Sequence, residues 1–137
     1  MGEVREQITL VNSGDVTKAR EGFIKAADIH TVTVEAIVDT GAWMLVMGEE
    51  TCRHLGLGIV RESMATLAGG TRQACKITEP VGIRWKDRDT ECRAMVLPGK
   101  EEVLLGCIPL EGMDLMVDPV NQRLTGAHGD EQTYLVR

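Results

Sequence analysis

The order of apolar runs, turn residues and short polar stretches along the chain predicts a mainly β fold with one to three short helices. Ile8 to Val11 reads as a first strand, closed by the turn signal Asn12-Ser13-Gly14-Asp15. Val16 to Gly22, rich in Lys, Arg, Glu and Ala, suits a short helix with Ser13 or Asp15 as its cap. From His30 to Asp39 the β-branched run Thr31-Val32-Thr33-Val34, then Ala36-Ile37-Val38, makes a strand that ends at Asp39-Thr40-Gly41. Met44 to Met47 reads as another short strand and Gly48 to Leu55 as a helix. Glu49 and Glu50 in its first turn, Arg53 and His54 in its last, and Gly56 after it suit the helix dipole and its loose ends.

Val60 to Leu97 reads as a β meander. Met64 to Leu67 leads to Ala68-Gly69-Gly70-Thr71, a tight two-residue turn signal, because glycine reaches the positive φ values such turns need. A long run through Ile77, Val81, Ile83 and Trp85 follows, then a charged turn at Lys86-Asp87-Arg88-Asp89, and Glu91 to Leu97 returns as a strand that stops at Pro98-Gly99. Val103-Leu104-Leu105-Gly106 is a further apolar run closed by glycine, and the turn residues Asp118, Pro119 and Asn121 fit a hairpin. No linker or repeat breaks the chain, so it reads as one domain over residues 1–137, with a core over about 8–124 and a polar tail over 125–137.

Composition narrows the function. The chain has 137 residues, 43 % apolar and 26 % charged, close to ordinary globular usage. Aromatics make up only 3 %, which leaves Val, Ile, Leu and seven Met to fill the interior. A net charge of −6 argues against nucleic acid as the partner, and against an anionic membrane. No apolar stretch is long enough to span a bilayer, and the first residues lack the design of a secretion signal, so the expected location is cytoplasmic. Cys52, Cys75, Cys92 and Cys107 form no CxxC pair and read as small buried thiols.

Candidate chemistry centres on Asp39. An apolar strand delivers this carboxylate into a tight Gly turn, where it sits at the end of a buried element instead of in open solvent. Other chemistries lack support. His30, His54 and His128 fall in different elements and make no metal-ligand spacing, and they read as surface or capping residues. Ser13 and Ser63 sit in no Gly-x-Ser-x-Gly elbow. Cys52 and His54 point to different faces of their predicted helix. Gly69-Gly70 is too sparse for a phosphate cradle. Asp114 near a helix end and Asp118 before Pro119 read as structural carboxylates. The reading calls for no metal and no cofactor.

Asp39-Thr40-Gly41 with Ala42 after it resembles the active-site loop of the retropepsin-like (clan AA) aspartic peptidases, bacterial single-domain type. The Gly69-Gly70 hairpin and the Leu104-Leu105-Gly106 element follow in the family's order, and the resemblance implies a helix from Cys107 to Asp114 after that element, with Pro109 tolerated in its first turn, then a strand-turn-strand ending over Leu115 to Leu124; the likeness extends from about Ile8 to Leu124. The resemblance implies an acid-protease half barrel with a glycine-tipped flap hairpin. It implies catalysis by Asp39, supported by Thr40 and Gly41, with Ala42, Trp43, Ala68, Gly69, Gly70, Leu105 and Gly106 at the substrate cleft. Trp43 departs from the small or polar residue common in the family; it narrows the pocket, anchors substrate or packs at an interface. The family uses two facing carboxylates that share one proton, since like charges that close do not both ionise. One Asp-Thr-Gly and a chain too short for two lobes therefore imply a homodimer. The implied function is an endopeptidase of acidic to mildly acidic conditions, with peptides or proteins as substrate. The alternative is a silent retropepsin-like module that dimerises or binds peptides and cleaves nothing.

Overall fold

The structure is a computed structural model and describes residues 3–136. Alternation of buried and exposed residues begins in β1 (Val4–Asn12), where Ile8 and Leu10 face the interior. β1 runs directly into helix α1 (Ser13–Arg20) with no intervening turn. The helix cap is Asn12, not Ser13 or Asp15: its side-chain oxygen accepts from the Asp15 N–H at 3.1 Å. The same Asn12 amide donates to the carbonyls of Leu55 and Gly56. A single 3-10 turn (Ala26–Asp28) then leads into β2 (Thr31–Val38), which ends immediately before Asp39.

β3 (Leu45–Met47) and helix α2 (Glu49–His54) follow as the sequence predicts, with Gly56 at φ +59° beyond the helix end. The meander comprises β4 (Ile59–Thr66), β5 (Arg72–Trp85) and β6 (Arg88–Val96). Its first connection is the five-residue stretch Leu67–Thr71, not a two-residue turn. Leu67 and Thr71 are bonded across it, and Gly69 and Gly70 both adopt φ +89°. The second connection is the two-residue turn Lys86-Asp87, so Arg88 belongs to a strand and is buried. β7 (Val103–Leu105), helix α3 (Cys107–Gly112), β8 (Leu115–Asp118) and β9 (Arg123–Gly126) complete the order.

These strands form a mainly β architecture around one closed ring. Hydrogen-bonded neighbours run β1-β2-β7-β3-β6-β5, and β5 pairs back onto β1 through Thr9↔Arg84 to Asn12↔Val81. The expected half barrel is thus a closed six-stranded barrel, with β4 paired outside the ring on β5. β5 is long enough to serve twice: its first half carries the hairpin with β4 and its second half lies in the barrel wall. The register against β6 shifts between Ile77 and Pro80, where proline has no N–H to give. There the buried Thr78 hydroxyl accepts from the Ala94 N–H at 3.0 Å and donates to the Glu79 carbonyl.

The main core fills the barrel with Ile8, Leu10, Leu45, Met47, Ile83 and Leu105 among others. A smaller core of Val46, Ala65, Cys75, Ile77 and Leu97 lies under the β4–β5 hairpin, with Leu104 packed against it. β8 and β9 make a separate two-stranded sheet whose Leu115 and Leu124 join the main core. No helix among the described residues is long and apolar enough to cross a membrane.

Candidate active site

Asp39 sits where three strands interlace. β7 lies between β2, its parallel neighbour through Ala36↔Val103 to Val38↔Leu105, and β3, its antiparallel neighbour through Leu45↔Leu105. The Asp39 N–H donates to the Leu105 carbonyl at 3.0 Å, which fastens the end of β2 to the end of β7. The chain then turns, with the Ala42 N–H donating to the Asp39 carbonyl at 3.1 Å. Within this turn the Asp39 carboxylate accepts the Gly41 N–H at 2.9 Å, and among the described residues it has no other partner. A Cβ at position 41 would stand 3.1 Å from the same carboxylate oxygen, so glycine keeps that approach free.

The loop is clamped from the far side by the start of α3. Cys107 N–H donates to the Ala42 carbonyl at 2.9 Å and Ile108 N–H to the Trp43 carbonyl at 2.8 Å. The Cys107 thiol reaches the Thr40 carbonyl at 3.1 Å. Gly106 makes this possible, because a Cβ there would fall 2.4 Å from the Met44 carbonyl oxygen and 2.7 Å from that of Ala42. Thr40 is exposed, and among the described residues its hydroxyl has no hydrogen-bond partner within the chain.

An open surface hollow of about 510 Å³ holds Asp39, together with Ile37, Leu104, Glu3, Gly99, Lys100, Glu101 and Glu102. The residues that line this hollow differ in part from those expected at the cleft. Leu105 is 0 % exposed and Gly106 is buried, so neither can line it; both position the loop from beneath. The neighbouring Leu104, of opposite parity on β7, takes the place expected of Leu105. Ile37, one pleat back from Asp39, was legible as strand but not as site. Trp43 is 78 % exposed and forms no part of the hollow, so it does not narrow it. Ala68, Gly69 and Gly70 lie exposed at the tip of the β4–β5 hairpin and contribute nothing to the hollow's lining. Just below its tip that hairpin is tied to the hollow's loop, since the amide of Gln73, the residue paired with Ala65, donates to the Pro98 carbonyl at 3.1 Å.

The other candidate side chains are occupied elsewhere. His30 pairs with Asp15 at 2.6 Å, His54 lies 3.7 Å from Glu50 one turn earlier on α2, and His128 pairs with Asp114 at 2.5 Å. Burial raises the Asp15 carboxyl, but bonds from the His30 backbone and ring and the nearby charges more than offset this, leaving it below its usual value. Asp114 is lowered chiefly by its bond to His128, against the effect of burial and with help from Thr133 and Arg88. Asp118 is lowered by bonds from Asn121 at its turn. All four cysteines are free; burial raises Cys52 and Cys75, and pushes Cys92 up to about 11.

No match to a curated protein was found. The family model described as gag-polyprotein putative aspartyl protease matches residues 26–112, from the turn before β2 to the end of α3, and so spans the Asp39 loop, the hairpin and β7. That span is more than half of the chain, and the chain therefore belongs to this family, a retropepsin-like aspartyl protease domain.

Proposed function

We propose that the protein is an aspartic endopeptidase that works as a homodimer, with the two Asp39 carboxylates meeting across a two-fold axis and holding a water between them. One carboxylate is ionised and takes a proton from the water as it attacks the scissile carbonyl. The other is protonated and polarises that carbonyl oxygen. Water attacks directly, so no acyl intermediate forms. The observation that carries this reading is the half-exposed Asp39 carboxylate, held by one Gly41 N–H at the end of interlaced strands in an aspartyl protease-like domain.

Thr40 supports the two-fold arrangement, since its free hydroxyl is available to the loop of a second copy. Gly41 and Gly106 let backbone approach the carboxylate and the loop closely. Ala42 and Trp43 extend the peptide-binding surface, and the hairpin tip at Ala68, Gly69 and Gly70 serves as the flap that closes over bound peptide. Positive φ at both glycines and the empty space around them suit a tip that moves. Four free thiols suit a reducing compartment, and the cytoplasm is the proposed location.

A fluorogenic peptide library at acidic pH tests the assignment. The expected result is cleavage by the wild type, inhibition by a statine-type transition-state mimic and no turnover by Asp39→Asn. A folded dimer that cleaves nothing at any pH would overturn it in favour of a peptide-binding module.

A further inference from the structure

The hollow around Asp39 has two kinds of wall. Its floor is apolar: Ile37 lies on the same face of β2 as Asp39 and is paired in parallel register with Leu104 of β7. Its rim is acidic, with Glu3, Glu101 and Glu102 gathered beside Asp39 and Lys100 as the one cation in the lining. Arg5 stands behind this rim, and its guanidinium is divided among three carboxylates, 2.7 Å from Glu3, 3.3 Å from Glu35 and 3.7 Å from Glu102. Glu101 has no ion pair or hydrogen bond to any described residue, and Glu102 has only that long, shared contact. A substrate that enters this hollow therefore meets more negative charge than the described residues neutralise.

We propose that this rim selects cationic peptides, with Lys or Arg beside the bond to be cut. Such a side chain lays its methylene stem along Ile37 and Leu104 and carries its charged head to Glu101 and Glu102. An apolar side chain fits the floor but gains nothing from the rim, and an acidic one is repelled by it. This inference rests on the peptidase reading. In a two-fold dimer both halves of the cleft carry the same rim, so the preference falls on both sides of the scissile bond. Because the rim is exposed, the discrimination is modest, about five- to tenfold over an apolar residue at low salt, and it shrinks as salt rises.

Two readouts separate this inference from the reading beneath it. Short fluorescent peptides that differ only in two central residues, both Lys, both norleucine or both Glu, are titrated against full-length Asp39→Asn by anisotropy, and their cleavage by the wild type is followed in parallel. The Lys peptide is expected to bind and to be cut best, the Glu peptide worst. In Glu101→Gln/Glu102→Gln, two exposed positions, the Lys preference is expected to fall below about twofold. If norleucine matches Lys, or if the double variant keeps the preference, the inference is overturned while the peptidase reading stands on any cleavage seen. If Lys is preferred in binding but nothing is cut, cationic selection holds and the hydrolytic reading falls. Failure of every peptide to bind overturns the inference outright.

Discussion

Asp39 follows the end of a strand and Asp114 the end of a helix, and the molecule treats them in opposite ways. Asp114 is 6 % exposed and has both oxygens bonded: His128 takes one at 2.5 Å, the Thr133 N–H the other at 3.2 Å, and Arg88 stands 3.7 Å away. Arg88, itself 3 % exposed, also donates to the carbonyls of Met113, Asp114 and Gly129, so this acid anchors the tail to β6 and α3. Asp39 keeps one internal bond and faces an open hollow. A buried carboxylate with both oxygens bonded holds a fold together. One left open at a rigid strand end is available for chemistry.

Exchanging the two roles should separate activity from stability. Asp39→Asn is expected to abolish turnover, by at least about a thousandfold, while its melting temperature stays within about 2 °C of wild type. Arg88→Leu is expected to do the reverse. It takes the ion pair from Asp114 and one donor from each of three carbonyls, of which the Asp114 carbonyl keeps the Ala127 N–H, and costs about 3 kcal/mol, roughly 10 °C in melting temperature, while the folded fraction keeps its activity per molecule. Calorimetry and a peptide assay on the same samples check both.

Gly106→Ala strikes between the two regions. A Cβ there meets the carbonyls of Met44 and Ala42, so the active loop must shift; about 2 kcal/mol of stability and a several-fold loss of turnover are expected together. The smallest effect concerns acid. Asp114 and Asp15 sit below their unfolded values, so each contributes stability that is full above about pH 4 and is lost as pH falls through the still lower folded value. Asp114→Asn should therefore flatten the decline in stability between about pH 4 and pH 2, measured by urea midpoints at each pH.

The contrast was only half legible in the sequence. Asp39 was, because an apolar β run that meets Thr-Gly is a local signal, and α2 was, because its charged ends and Gly56 are local too. The Asp114 anchor was not: Arg88 reads as part of a charged turn, and its burial depends on carbonyls at least 25 residues distant. The choice between Leu104 and Leu105 was also hidden, since both are apolar and only the pairing of β7 with β2 and β3 decides which faces Asp39. Closure of the barrel through β1 and β5 is likewise a matter of register between distant strands. Nothing local singles out Asn12 as the cap, because Ser13 and Asp15, equally able cappers, stand beside it.

The central claim is that one catalytic centre is assembled from two copies of Asp39, and mixing measures this most directly. Wild type and Asp39→Asn are combined at constant total concentration, allowed to exchange subunits, and assayed with one peptide. If each centre needs both carboxylates, activity follows the square of the wild-type fraction, and an equal mixture retains about a quarter of full activity. Activity that falls in simple proportion, leaving about half, would mean that each chain acts alone and would contradict the account.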